Sequence, residues 1–189
     1  MDNRKDEVLM MEYRDTRDPE AMVSLFKRYR RPLFQYLVRR TGSPSRAEDL
    51  TQEVFASLMK GADRYQPSGS FKSYIYRMAS NISAKEWRTY RKRVQLQGEL
   101  VDHGTEAGKK VDSIAQAAKV RNALLNLDDA QRDAIVLREY QGLTYEEISQ
   151  VMGVAVGTIK SRIARGKLAL REMLLGTTSP EAGQIGVRS

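Results

Sequence analysis

Asp49 and Glu53 are the carboxylates whose spacing first suggests chemistry. They lie four residues apart in the periodic stretch SRAEDLTQEVFASLMK, so they share one face of a helix. Two such groups can divide general-acid and general-base work. That work needs a nucleophile, a phosphate cradle or a second titratable partner, and the sequence supplies none. It has no cysteine, a single histidine and no glycine-rich phosphate loop. His103 sits alone in a polar stretch and reads as a solvated linker residue rather than a ligand or base. The expectation is a protein that is not an enzyme and takes no metal and no cofactor. The acidic face, which also carries Glu48 and Gln52, is then either a solvated surface or a docking surface for an arginine-rich partner. The second reading is favoured in a chain whose formal net charge is otherwise +8.

A different chemistry, donation to nucleic acid, is written into LTYEEISQVMGVAVGTIKSRIARGKLALREML. Thr144 and Glu147 have the spacing of a capping box. Ile148, Val151 and Met152 give the short helix that follows one apolar face, and Gly153 can supply the left-handed turn that ends it. A second amphipathic helix starts at Val156. On a wheel of about 100° per residue, Val156, Ile159, Ile163, Leu170 and Leu174 form its packing side. Ser161 and Arg165 centre the opposite side, with Thr158 beside them and Lys160 and Arg162 on the flanks. Lys167 and Arg171 continue the positive charge. Lys and Arg donate to guanine O6 and N7, and hydroxyls serve base edges or phosphates. The arrangement is a helix-turn-helix suited to the major groove of duplex DNA. A solvated basic face is the plainer alternative, but it leaves the coincidence of box, turn and donor-only face unexplained.

The segment FKSYIYRMASNISAKEWRTYRKR holds seven Lys or Arg and one Glu. Phe71, Tyr74, Tyr76, Trp87 and Tyr90 are interleaved with them. Cations that follow a phosphate backbone, beside rings that stack on unpaired bases, are how proteins hold single strands. The competing reading assigns Phe71, Tyr74, Ile75, Met78 and Ile82 to a core.

Positioning these groups falls almost wholly to helices, because apolar residues recur at helical spacing nearly everywhere and strand-type alternation is scarce. The N-terminal part divides into a charged extension, 1–17, and a helical unit, 18–93. Asp18 is placed to cap its first helix, with Pro19 at the first helical position and Pro32 expected to kink or divide it. Further helices are expected at 45–60 and 71–93, with a loop at 63–70 between them. A polar, glycine-bearing linker spans 94–112. The C-terminal unit, 113–175, has helices at 113–126, from a cap at Asp128 to Gly142, at 145–152 and at 156–175. Residues 176–189 have the composition of a disordered tail. No apolar run is long enough to span a bilayer, and the charged N-terminus lacks the apolar core of a signal peptide, so the chain is expected to stay in the cytoplasm.

The helix-turn-helix resembles that of bacterial RNA polymerase sigma factors of the extracytoplasmic-function (ECF) type, within the sigma-70 family. SRAEDLTQEVFASLMK resembles the helix by which the family binds core polymerase, and the 71–93 segment resembles its region for the −10 promoter element. The resemblance implies an all-α chain of two small domains, sigma-2-like and sigma-4-like, joined by a flexible linker. It implies core-polymerase contact through Asp49, Leu50, Gln52, Glu53 and Phe55, against the β′ clamp helices, with the β flap as a further partner. It implies −10 contact through Arg64, Tyr65, Ser70, Phe71, Arg77, Asn81, Lys85 and Arg88, with Asn81 and the preceding loop capturing a flipped base. It implies −35 contact through Tyr145, Thr158, Lys160, Ser161, Arg162, Ala164 and Arg165. Lys85 and Tyr74 stand where relatives usually carry Asp and often Trp, and Ala164 and Gly166 are small. An anti-sigma protein is the implied regulator. The alternative is a dimeric helix-turn-helix regulator, and a more distant one is a nuclease, which would need clustered carboxylates for a metal.

Overall fold

Side-chain caps fix where the helices start. The computed structural model describes residues 2–97 and 113–176, with side chains at 2–85 and 117–176. Asp18 accepts from the Glu20 N–H at 3.1 Å, ahead of Pro19, and opens α2, Pro19–Thr41. Ser43 does the same, ahead of Pro44, for α3, Pro44–Lys60. Both prolines stand where the helix has no use for their missing N–H. Pro32 does not divide α2, which continues as one element on both sides of it. Tyr29 and Leu33, either side of it, are both buried, so packing holds the helix through the missing hydrogen bond.

The charged extension folds. Residues Asp6–Thr16 form α1, with Asp6 and Glu7 in its first turn, where carboxylates complement the helix dipole. Leu9 and Met10 are fully buried. They enter one core with Leu25, Leu33 and Leu37 of α2 and with Leu50, Val54 and Leu58 of α3. Each such side chain contributes roughly 1.5–3 kcal/mol on leaving water. A 3₁₀ turn, Ala62–Arg64, leads to the loop before α4, Phe71–Gln97. Phe71 lies under the rings of Tyr29, Tyr65 and Tyr74, with centroids 5.3, 6.1 and 6.2 Å away. The helix overruns the expected linker boundary by several residues. The remaining linker, with His103, and the tail from 177 lie outside the described residues.

The C-terminal unit begins with α5, Ser113–Leu125. Asp128 caps α6, Asp129–Ile135, by accepting from the Ala130 and Gln131 N–H groups at 3.0 and 3.3 Å. A π-helical turn, Val136–Tyr140, then replaces the continuous helix expected here. Arg132 is 7% exposed and donates to the carbonyls of Leu124, Leu125 and Leu127, so one guanidinium closes the α5–α6 turn. Helices α7, Tyr145–Met152, and α8, Val156–Leu175, complete the unit.

The two units pack together over a shared core. Arg40 of α2 pairs with Asp133 of α6 where both are largely buried. Burial pushes the Asp133 carboxyl up, and Arg40 offsets this only in part. Tyr76 donates to Gln141 Oε1 at 2.6 Å, Lys72 to the Gln141 carbonyl at 2.6 Å, and Ser70 to Glu147 Oε1 at 2.9 Å. No described helix is long and apolar enough to cross a membrane.

Candidate nucleic-acid interface

The helix-turn-helix forms as its residues dictate. Thr144 Oγ1 accepts from the Glu147 N–H at 3.1 Å while Glu147 Oε2 accepts from the Thr144 N–H at 2.8 Å, which completes the box. Burial works to raise the Glu147 carboxyl. The Thr144 N–H and the Ser70 hydroxyl outweigh it and hold the group below its ordinary range. Gly153 takes φ +66°, and its N–H closes the helix on the Ser149 carbonyl at 2.8 Å. Ile148, Val151, Ile159 and Ile163 bury the facing sides.

On α8, Thr158, Lys160, Ala164 and Arg165 are exposed, and Ser161 and Arg162 are half-buried. Ser161 donates to the Thr158 carbonyl at 2.9 Å and accepts from Arg165 at 3.5 Å. The Tyr145 ring lies between two cations, with the Arg138 guanidinium 4.7 Å and the Lys160 ammonium 5.7 Å from its centroid. Lys160 is therefore held toward the α7 end of the face. Lys167 departs from the expected stripe, because it pairs with Glu139 of the π-turn at 2.7 Å. Leu174 is 42% exposed and does not continue the packing side as expected, while Met173 does. Gly166 faces inward, and a Cβ there would sit 2.6 Å from Ile135 Cδ1 and 3.2 Å from Gln131 Cβ. Its small size serves the close approach of α8 to α6.

The second surface surrounds the loop before α4. Tyr65, Gln66, Ser68, Gly69, Ser70, Ser73, Tyr74, Arg77 and Gln150 line a recess of about 160 Å³. Arg77 is exposed on it, while Arg64, Asn81 and Lys85 are exposed but do not line it. Tyr65 is 1% exposed, and its hydroxyl has no hydrogen-bond partner among the described residues. Burial pushes that phenol up to about 12, so it stays a neutral donor and acceptor. Ser70 is already engaged, with Glu147 and with Ser73. Phe71 is fully buried, so it is floor rather than contact. The side chain of Arg88 lies outside the described ones.

The third surface is the outer face of α3. Asp49, Gln52 and Glu53 are exposed there. Leu50 and Phe55, expected as contacts, are 2% and 5% exposed and belong to the core. The exposed aromatic is Phe26 of α2, stacked on Phe55 at 4.8 Å with Arg30 5.7 Å from its centroid. Val23 and Met59 are exposed apolar residues of the same two helices. Phe26 is not among the contacts that the sequence suggested. No cluster of three or more metal-ligating side chains occurs among the described residues.

Known proteins share this arrangement. The family Sigma-70 region 2 matches residues 25–93, and Sigma-70 region 4 matches 117–170. The ECF RNA polymerase sigma factor SigE of Mycolicibacterium smegmatis is 32% identical over 88% of this chain and 68% of its own length. The chain belongs to the ECF RNA polymerase sigma factors. SigW of Bacillus subtilis, another ECF member, is 28% identical over 83% of this chain and 90% of its own. Two solved structures share the fold. The sigma factor RpoE of Bartonella quintana, solved with the anti-sigma factor NepR, has a TM-score of 0.69 at 24% identity. It covers 80% of this chain and 95% of its own. CnrH, solved with the cytosolic domain of CnrY, has a TM-score of 0.71 at 21% identity over 92% and 99%. The region 2 match spans the acidic helix, the lining of the recess apart from Gln150, and α4 as far as residue 93 in this sigma factor. The region 4 match ends at Leu170 and contains the whole reading face of α8.

Proposed function

We propose that this sigma factor docks on core RNA polymerase through the acidic face of α3, with Asp49, Gln52 and Glu53 outward and Phe26 beside them. The unit 113–175 then reads −35 duplex through Lys160, Ser161, Arg162 and Arg165, with Thr158, Ala164 and Tyr145 at the edges. The unit 18–93 holds the opened −10 strand in the recess lined by Tyr65 and Tyr74, with Arg64, Arg77, Asn81, Lys85 and Arg88 along the backbone. Flipping a base costs a few kcal/mol of stacking, which the half-buried ring of Tyr74 can offset in part. The observation that carries this reading is the pairing, in one chain, of a cationic helix face without carboxylates and a ring-lined recess. The first suits duplex, the second an unstacked base. The protein works in the cytoplasm, adds no catalytic step of its own and takes no cofactor. An anti-sigma protein of the kind that holds RpoE is its proposed regulator.

Run-off transcription with core polymerase over fragmented genomic DNA, read by sequencing start sites, tests the assignment. The wild type should yield a discrete promoter set. Asp49→Arg should abolish both run-off product and core pull-down, because a reversed charge meets a cationic partner. A chain that shifts operator DNA as a dimer and never binds core would be a conventional regulator instead.

A further inference from the structure

Helix α1 lies ahead of the Sigma-70 region 2 match, which begins at residue 25. It nevertheless reaches both ends of the segment that forms the recess. Glu7 Oε1 accepts from the Phe71 N–H at 2.7 Å, across 64 residues of sequence. That N–H is one of the orphan donors at the start of α4, and Ser70 Oγ takes another by accepting from Ser73 at 3.1 Å. At the other end, Arg14 donates to the Tyr65 carbonyl at 3.1 Å. Arg17 pairs with Asp63 and donates to the Met59 carbonyl at 3.5 Å. Between these fixed points lie Gln66, Ser68 and Gly69, the rim of the recess. The helix is itself pinned to α2. Tyr29 donates to Asp6 Oδ2 at 2.5 Å, Arg28 pairs with Asp6, and Leu9 and Met10 are fully buried.

We propose that Glu7 and Arg14 are positioning residues for −10 recognition, with α1 setting the width of the base-capturing loop from outside the region 2 match. This rests on the promoter reading above. Neither residue lines the recess, so neither touches the captured base. They act by fixing the backbone that carries Tyr65 and Ser70, which lowers the ordering cost the strand would otherwise meet on binding.

The test uses the full chain bound to core polymerase and a fluorescent single-stranded −10 oligonucleotide from a promoter found by start-site mapping. Affinity is measured for all four bases at the captured position, alongside −35 duplex binding, core affinity and thermal unfolding. Glu7→Ala and Arg14→Ala should each weaken −10 strand binding about tenfold and flatten the base preference. Core and −35 binding should not move. Glu7→Gln keeps an oxygen to accept the Phe71 N–H and should bind within about twofold of wild type. Should Glu7→Ala fail to fold, Arg14→Ala carries the test, since it keeps Glu7 on the Phe71 N–H and gives up the bond to the Tyr65 carbonyl. Unchanged −10 affinity and preference in the alanine variants overturn the inference. So does an equal fall in −10, −35 and core binding, which would make α1 ordinary scaffold. A wild type with no base preference at −10 would instead overturn the promoter reading.

Discussion

One helix makes the α8 face, whereas a loop and three helices make the recess. On α8, exposed Lys160, Ala164 and Arg165 and half-buried Ser161 and Arg162 need only a helical period and a buried opposite side at Ile159 and Ile163. The recess draws Tyr65 to Ser70 from the loop, Ser73, Tyr74 and Arg77 from α4, and Gln150 from α7, while α1 holds the backbone at Tyr65 and Phe71. A duplex presents its groove to any helix of the right face. An unstacked base must be enclosed, and enclosure takes several elements. Damage on α8 should therefore be local and confined to one function, whereas damage around the recess should depend on what supports it.

The strongest challenge to this contrast comes from Arg132, far from the reading face but holding the α5–α6 turn. Arg132→Ala leaves four carbonyls without their donor, those of Leu124, Leu125 and Leu127 and, in the other unit, that of Arg40. It should cost about 3–5 kcal/mol in denaturant unfolding and weaken −35 binding through the scaffold. Next comes Arg165→Ala, which should lower −35 duplex affinity by about 1–3 kcal/mol in a gel shift at fixed salt and leave −10 strand binding alone. Loss of −10 binding there would erase the division between the surfaces. Tyr74→Ala should do the reverse, costing about 1–2 kcal/mol in single-strand binding with −35 affinity intact.

The smallest effect is electrostatic and sits where the two surfaces meet. Glu147 has its folded pKa below the ordinary carboxylate value, so its stabilisation is present above that value and is lost as pH falls through the folded one. Unfolding measured from pH 6 to pH 3 should show acid weakening that is shallower in Glu147→Gln.

The sequence made the α8 face legible because the whole signal is local. A box at Thr144, a left-handed glycine at Gly153 and a 3.6-residue period are read without knowing what packs where. The acidic face of α3 was legible for the same reason. Leu50 and Phe55 were not placed correctly, because matching a motif does not say which of its members point inward. Leu50 lies four residues before Val54, a spacing that marks the buried side of the helix. The recess was half legible. Arg77 lines it, whereas Arg64 and Asn81 do not, Phe71 is floor and Gln150 comes from the other unit. The α1 helix escaped because Leu9 and Met10 are adjacent and make no periodic stripe within DEVLMMEYRDT. Its grip on the loop spans 64 residues of sequence, a distance no local pattern reports.

The contact between Ser70 and Glu147 also has a consequence for energetics. It places the −10 loop 2.9 Å from the cap of the −35 reader. B-form DNA rises about 3.4 Å per base pair, so two elements roughly 25 base pairs apart lie on the order of 85 Å apart. One chain cannot span them with these contacts intact, so Gln150 of α7 leaves the recess when both elements are bound and the loop and α4 remain to hold the base. Whatever free energy the Arg40–Asp133 pair, Gln141 and Glu147 place in the closed arrangement is subtracted from promoter affinity, as a population tax on the open form. A partner that binds only the separated units removes that tax, and one that clasps them together raises it.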